Sequence, residues 1–320
     1  MTAVVGPLDR RSLGRTGLAV SPVCIGTSPL AGMPEHYGYE VSEQAAMATI
    51  GAALRGPFNF IDTSNNYGAG AAERYIGRVL ADIGGLPPGF VLATKADADP
   101  VSGDFSGDRV RRSIEESLER LGLDRVQLMY LHDPEFHLTF AEAMAPGGPI
   151  AALVQLRDEG VLSHLGVAGG EVKLLADFIA TGLIDVVLSH NRFTLIDRSA
   201  EPLMEDARRR GVGLINAAPY GGGILAQGPD AQPRYAYEPA DTAIHTAVRA
   251  MQAACAAHDV PLAAAALQFS VRDPRVASTV VGVSAPARID ETARLLSHHV
   301  PDELWAELDL LTPPPEHRLN

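Results

Sequence analysis

Four ionisable residues stand at or just after short apolar runs in this 320-residue chain. Asp62 closes F-I-D, Tyr67 follows in N-N-Y-G, Lys95 closes V-L-A-T-K, and His132 stands in M-Y-L-H-D-P. A charge placed directly after a buried run costs free energy unless it is paired or used. The chemistry of these four is complementary. A carbonyl that accepts hydride becomes an alkoxide and needs a proton. A phenol near its ordinary pKa of about 10 is a poor acid-base group at neutral pH. A nearby ammonium lowers that value by stabilising phenolate. A carboxylate holds such an ammonium charged, and an imidazole can hydrogen-bond the substrate oxygen and orient it. Taken singly, each residue has an ordinary explanation: Asp62 as a cap, Lys95 as a rim ion pair, Tyr67 as a loop residue, His132 as a structural histidine. Their joint arrangement favours the catalytic reading.

Positioning them requires a scaffold that brings strand ends to one face. Short apolar runs alternate with segments of helical periodicity. The expected strands are Val23–Gly26, Phe58–Ile61, Phe90–Thr94, Val126–Leu131, Leu165–Ala168, Val186–Leu188, Gly213–Asn216 and Ser278–Val281. Gly107–Leu121 carries Val110, Ile114, Leu118 and Leu121 on one helical face, and Gly122 follows as a C-cap. Alternating strands and helices imply parallel pairing, because parallel strands need a crossover. Eight such units predict a closed (β/α)8 TIM barrel, with residues 1–320 forming one domain. Arg11–Val20 is expected as a hairpin plugging the barrel bottom. Pro219–Asp241, after the seventh strand, is the longest irregular stretch and is expected over the catalytic face.

Ordered blocks then give a family resemblance across almost the whole chain. F-I-D-T-S-N-N-Y-G-A-G-A-A-E-R-Y-I-G at Phe60–Gly77 resembles the aldo-keto reductase signature. L-A-T-K at Leu92–Lys95, L-H-D-P at Leu131–Pro134 and R-S-L-G-R-T-G-L-A-V-S at Arg11–Ser21 resemble its lysine, histidine and opening blocks. The resemblance implies Asp62, Tyr67, Lys95 and His132 as a catalytic tetrad, and NAD or NADP as cofactor.

It implies cofactor contacts as well. V-V-G-V-S-A-P-A-R-I-D-E-T at Val280–Thr292 resembles the family's adenosine-end motif, giving Gly282, Ser284, Arg288 and Glu291. Arg288 is placed to meet a 2′-phosphate or stack on adenine. The family's frequent lysine or arginine near Val283–Ser284 is missing, and its usual asparagine after Glu291 is Thr292. L-S-H-N at Leu188–Asn191 occupies the carboxamide-contact position and gives Ser189 and Asn191, with Asp62, Gly26 and Thr27 at the first strand ends. I-N-A-A-P-Y-G at Ile215–Gly221 gives Ala217, Pro219 and Gly221; Ala217 stands where the family has an aromatic under nicotinamide, with Tyr220 close by.

These departures, with A-A-L-Q-F at Ala265–Phe269, resemble the aldose dehydrogenase branch, which includes L-fucose and D-threo-aldose 1-dehydrogenases and related pyridoxal 4-dehydrogenases. The expected reaction is oxidation of an aldose at C1 to a lactone. A pyridoxal 4-dehydrogenase-like or broad aldehyde reductase activity is the alternative, and a redox-sensing binding subunit is disfavoured by the intact tetrad. The expected substrate contacts are Asn66, His190, Tyr220 and Tyr235, with Gln227, Arg234 and Tyr237 also on the long loop.

Composition narrows the partners. Formal net charge is −13 with 46% hydrophobic residues, which argues for a well-buried core and against nucleic acid or an anionic membrane as partner. The opening M-T-A-V-V-G-P-L-D-R-R-S lacks the apolar core of a signal peptide. No apolar run reaches the roughly 18 residues of a membrane span. Cys24 and Cys255 form no CxxC pair, so they read as reduced thiols of a cytoplasmic protein. No metal is expected. Asp97–Asp99 reads as a solvated loop, and Gly221–Gly223 as a source of loop freedom.

Overall fold

A computed structural model describes residues 6, 8–317 and 319. Eight parallel strands close into a barrel in chain order. They are β1 (Val23–Gly26), β2 (Phe60–Asp62), β3 (Val91–Ala96), β4 (Val126–His132), β5 (Leu162–Gly169), β6 (Val186–His190), β7 (Gly213–Ala217) and β8 (Ser278–Gly282). Strand β8 pairs with both β7 and β1, which seals the ring. The main helices are α1 (Glu43–Arg55), α2 (Ala71–Ile83), α3 (Gly107–Leu121), α4 (Pro149–Asp158), α5 (Val172–Ala180), α6 (Glu201–Arg210), α7 (Thr242–Ala257), α8 (Leu262–Val271), α9 (Ala287–Ser297) and α10 (Asp302–Leu310).

Helix α3 has the bounds its periodicity predicts. Ser106 caps it by accepting from the Arg109 amide, and Gly122 ends it at φ 65°. Val110, Ile114 and Leu121 are buried against the barrel. Each such side chain stabilises the fold by about 1.5–3 kcal/mol relative to exposure. A second apolar layer fills the barrel itself, with Cys24, Phe60, Leu128, Tyr130, Leu188 and Ile215 among its members.

Several strands run past the apolar residues that announce them. Strand β2 spans Phe60–Asp62 instead of Phe58–Ile61, β3 reaches Ala96 and β4 reaches His132. The ladder continues through the charged positions, with Asp62 in register with Ala93, Lys95 with Tyr130 and His132 with Ala168, and the side chains find polar partners, Lys95 with Asp62 and His132 with Asp97. Strand β5 starts at Leu162, before the polar Ser163 and His164 that a search for apolar runs passes over.

The expected hairpin is present, with Arg11–Ser12 paired antiparallel to Ala19–Val20. Leu13 is fully buried and belongs to the apolar cluster inside the barrel. Gly14, at φ +54°, lies so close to the start of β7 that a Cβ there would stand 2.2 Å from the Gly213 nitrogen. Only glycine fits that approach.

The stretch expected to be irregular after β7 folds into short pieces. A 3₁₀ turn at Gly221–Gly223 leads into one helical turn at Ile224–Gln227, and Arg234–Tyr235 pairs with Glu238–Pro239. Among the described residues, no helix is long and apolar enough to cross a membrane.

Candidate active site

The C-terminal strand ends bring the four ionisable residues together. Asp62 ends β2, Lys95 is the penultimate residue of β3, His132 ends β4, and Tyr67 lies on the loop after β2. Lys95 Nζ donates to Asp62 Oδ1 at 2.5 Å, to the Thr63 carbonyl at 2.6 Å and to Tyr67 Oη at 3.0 Å. The Tyr67 and His132 rings stand edge to face, 5.8 Å apart. Asp62 and Lys95 are both buried.

A polar network holds the Tyr67 loop from beneath. Glu73, fully buried on α2, accepts from Thr94 Oγ1 at 2.6 Å and from Arg120 at 3.2 Å, while Arg120 also donates to the Asn65 carbonyl. Arg109 bridges Asn65 Oδ1 and Glu116. The loop is therefore anchored at its backbone and side chains, which fixes where the phenol points.

The sequence reading has the Lys95 ammonium lowering the phenol. In the structure that charge is matched by Asp62 at 2.5 Å. Burial raises the Tyr67 phenol well above its ordinary value, and the carboxylates of Asp62, Asp133 and Asp97 add to the rise. The Asp62 carboxyl is also raised, since burial outweighs the Lys95 ammonium that opposes it. The neutral phenol is thus the favoured form of Tyr67.

His132 sits among carboxylates. Its Nδ1 is 2.6 Å from Asp97 Oδ1, and its Nε2 is 3.6 Å from Asp133 Oδ2. Burial alone would lower the imidazole, but Asp133 and Asp97 outweigh it and the net direction is up. Asp133 moves the opposite way: burial raises its carboxyl, but His132 and His190 outweigh this and hold it well below the usual range.

Asp97 corrects the solvated-loop reading of Asp97–Asp99. It is buried and accepts from Ser64 Oγ and the Asn66 amide as well as facing His132. Asp99, two residues on, does lie in an exposed turn with Ser102. Ser64, Asp97 and Asp133 are the members of the site that the sequence reading does not single out. The signal available was proximity: each lies within two residues of a strand-end candidate or its signature block.

The expected substrate contacts divide. Asn66 is at the mouth, its side-chain amide donating to the Ala98 carbonyl at 3.2 Å. His190 ends β6 and meets Asp133 through Nε2 at 3.2 Å. Tyr235 is a correction: it is 2% exposed, its ring packs against Gly221, and its hydroxyl donates to the Asn191 carbonyl at 3.3 Å. It holds the loop after β7 to the end of β6 and presents nothing to a substrate. Tyr220 is half-buried, and its hydroxyl feels the charges of Glu291 and Arg288, which puts it toward the adenosine-end residues. Arg234 donates to the His36 carbonyl, and Tyr237 stacks on His36 at 4.3 Å, joining the β7 loop to the β1 loop across the mouth.

The residues expected to hold a dinucleotide fit one on their own chemistry. Ser189 Oγ and Asn191 Oδ1 are buried at the end of β6 without a hydrogen-bond partner among the described residues. A hydroxyl and an amide oxygen left open side by side suit a carboxamide, which both donates and accepts. Thr27 is already engaged, with its amide and hydroxyl both reaching the Asp62 carbonyl at 3.0 Å. Gly26 and Gly282 end paired strands, where a Cβ would come within 2.9 Å of Val280 or Pro29. Ala217 ends β7, Pro219 and Gly221 follow it, and Ser284 lies beyond β8. Arg288 is exposed and already paired with Glu291 at 2.7 Å.

Asp133, Glu135 and His190 bring ligand-type atoms within 4.8 Å of one another. Asp133 is committed to the two histidines, and Glu135 Oε1 accepts from the Gly170 and Glu171 amides. The cluster reads as an ion-pair network.

Comparison with known proteins bears on this geometry. Residues 22–312 match the model of the aldo/keto reductase family. The chain is 34% identical to L-galactose dehydrogenase of Arabidopsis thaliana, covering 89% of this chain and 86% of that one. It is 29% identical to pyridoxal 4-dehydrogenase of Microbacterium luteolum, covering 94% and 96%. An aldo-keto reductase from Bacillus halodurans, solved in its holo form, superposes with a TM-score of 0.80 at 21% identity, covering 98% of this chain and all of that one.

Proposed function

The chain belongs to the aldo/keto reductase family and is an NAD(P)-dependent oxidoreductase, and from that premise we propose that it oxidises an aldose at C1 to a lactone. The observation that carries the proposal is the contact set Asp62–Lys95–Tyr67 with the His132 ring facing the phenol. The nicotinamide supplies the hydride acceptor. Every other task falls to side chains of this chain. Tyr67, as phenolate, takes the lactol hydroxyl proton as the C1 hydrogen leaves with its electron pair. Lys95 steadies the charge on the phenolic oxygen, and Asp62 holds the Lys95 ammonium in place at 2.5 Å. His132 holds the substrate oxygen, with Asn66 and His190 at the ring hydroxyls. A site that discriminates among hydroxyls needs several fixed polar partners, and these two are fixed by Ala98 and Asp133.

The raised phenol sets a direction with pH. Phenol is the form needed to protonate an alkoxide, and phenolate is the form needed to oxidise. Oxidation therefore climbs as pH rises into the alkaline range, and reduction of simple aldehydes is proposed as a slower side activity. The cofactor contacts proposed are Gly26, Thr27, Asp62, Ser189, Asn191, Ala217, Pro219, Gly221, Gly282, Ser284, Arg288 and Glu291. Because Glu291 already neutralises Arg288 and would face a 2′-phosphate with a like charge, NAD is proposed as a usable cofactor beside NADP. The remaining expectations, one barrel domain over residues 1–320 and a cytoplasmic location, are part of the same reading.

The test is a panel of initial rates with L-galactose, L-fucose, D-arabinose, pyridoxal and an aromatic aldehyde, each with both nicotinamide cofactors and in its accessible direction. A sugar leading in kcat/KM is the expected result. Pyridoxal leading would favour the activity of the Microbacterium relative, and turnover of the aldehyde alone would sink the sugar reading.

A further inference from the structure

Asp97 lies outside the four-residue pattern, yet its hydrogen bonding is closely fixed. Its Oδ1 faces His132 Nδ1 at 2.6 Å, and its Oδ2 accepts from Ser64 Oγ and from the Asn66 amide at 3.0 Å. Its own backbone is tied down as well: the amide donates to Ser113 Oγ at 3.1 Å and the carbonyl accepts from Arg109 Nε at 3.2 Å. Ser64 Oγ also stands 3.2 Å from His132 Nδ1. Since the Ser64 hydroxyl gives its hydrogen to Asp97, only its lone pairs are left for the imidazole. Both neighbours of Nδ1 are therefore acceptors, and Nδ1 must carry a hydrogen.

We propose that Asp97, seconded by Ser64, is a positioning residue that locks the His132 tautomer, so that Nε2 can donate to a substrate oxygen only while the ring is cationic. The inference rests on the hydride-transfer reading of the site and adds a dependence on direction. In reduction, hydride forms a C–H bond at the carbonyl carbon, the C=O π pair moves to oxygen, and the Tyr67 proton forms the O–H bond as the reduced nicotinamide is oxidised. A carbonyl oxygen can only accept, so it needs a hydrogen on Nε2, and with Nδ1 locked that means imidazolium. In oxidation the hydroxyl's one hydrogen goes to the Tyr67 phenolate, so there too the substrate oxygen meets Nε2 with a lone pair. Loss of the His132 proton therefore lowers reduction outright, while in oxidation the phenolate fraction of Tyr67 rises over the same range and offsets it.

The groups facing the ring set where that loss falls. Asp97 and Asp133 favour the cation. Lys95 on β3 opposes it, and burial opposes it too. Asp62 on β2 and Tyr67 on the β2 loop complete the near shell, and His190 on β6 lies behind Asp133. The carboxylates win, so the cation survives above the ordinary imidazole range and disappears as pH rises through the elevated value.

The experiment is ¹⁵N NMR of the histidine side chains in the cofactor-bound enzyme from about pH 5 to about pH 10, with His132→Asn to assign the signal, beside pH profiles in both directions. The wild-type His132 signal should pass from imidazolium to the neutral form protonated at Nδ1. Over the same range kcat/KM for aldehyde reduction should fall about tenfold per pH unit, and sugar oxidation should show no such fall. In Asp97→Asn the neutral ring should redistribute toward the Nε2–H form, and the fall in reduction should shrink to less than about threefold per unit. A wild-type neutral ring protonated at Nε2, or an Asp97→Asn ring still held at Nδ1–H, overturns the lock. If Asp97→Asn does not fold, the wild-type tautomer and the wild-type contrast between directions decide the matter. A locked tautomer in a protein that transfers no hydride would instead sink the enzymatic reading and leave the lock standing.

Discussion

At the floor of the barrel, Leu13 enters an apolar cluster with Val20, Cys24, Phe60 and Val91, and the hairpin that carries it makes backbone hydrogen bonds to Gly211 and side-chain bonds to Gly182 and Ile184. At the mouth, about one barrel length away, Asp62, Lys95 and Asp97 are buried charges, and Asp62 Oδ2, Thr63 Oγ1, Ser189 Oγ and Asn191 Oδ1 have no partner among the described residues. Backbone geometry divides the same way. Of seven non-glycine residues at positive φ among the described residues, six (Ala69, Asp133, Asn191, Ala218, Ala236 and Tyr237) lie on loops at the mouth, and Asp133, Asn191 and Ala218 directly follow β4, β6 and β7. Such conformations cost about 1–3 kcal/mol each where they are held in sparsely populated regions. The floor packs apolar side chains and supplies stability, while the mouth concentrates strained backbone, buried charge and open valences.

Mutations can break this contrast, and the largest effect belongs at the mouth. Tyr67→Phe should lower the chemical step by about 2–4 orders of magnitude with little change in thermal stability or cofactor affinity, since it removes only the phenolic hydroxyl and Lys95 keeps Asp62 and the Thr63 carbonyl. Near wild-type turnover would take Tyr67 out of the mechanism. Lys95→Met comes next. It leaves Asp62 buried without its cation, and activity should drop about a hundredfold or more. Any residual oxidation should have its pH optimum moved further up, because the remaining neighbours of the phenol all raise it. An unchanged pH profile in an active variant would contradict that role.

The floor should respond in the opposite currency. Leu13→Ala should destabilise the protein by about 2–5 kcal/mol, read by denaturant unfolding, with kcat at a permissive temperature unchanged. A kcat loss at full stability would show that floor and mouth are coupled. The smallest effect is expected at the rim. Arg288→Ala should change the NADP-to-NAD ratio of kcat/KM by about tenfold or less, the scale of one charge-assisted contact already shared with Glu291. A preference for NADP above about a thousandfold that survives this substitution would reveal a phosphate ligand elsewhere.

The floor was also the more legible of the two in the sequence. Arg11–Val20 reads as a hairpin and forms one, and eight apolar runs became eight strands, because hydrophobic periodicity reports burial directly. That Asp62, Tyr67, Lys95 and His132 meet was legible too, three of them being ionisable groups where burial makes charge costly. Asp97 was not. It follows Ala96 and precedes Ala98 and Asp99 in a run that looks solvated, and nothing local announces that β3 reaches Ala96 and delivers the next carboxylate to His132, 35 residues later. Tyr235 misled for the converse reason: a tyrosine on a glycine-rich loop looks available, yet the absence of a Cβ at Gly221 is what lets its ring bury. Local pattern shows which groups are expensive, and only the folded register shows which of them meet.

The hairpin at the floor has a consequence for how the protein is made. Arg11 donates to the carbonyls of Val271 and Val276, and Arg15 to those of Gly182 and Ile184. Arg11 and Val276 are 265 residues apart. At a synthesis rate of about 5–20 residues per second, the arginine leaves the ribosome roughly 10–50 s before its partner exists. Throughout that interval Leu13 has no barrel to enter, and the growing chain carries an unsealed tube of strands with exposed edges. The hairpin, translated before any barrel strand, is thus among the last elements to dock, and nascent-chain arrest before and after residue 276 should find it open to protease in the first case and shielded in the second.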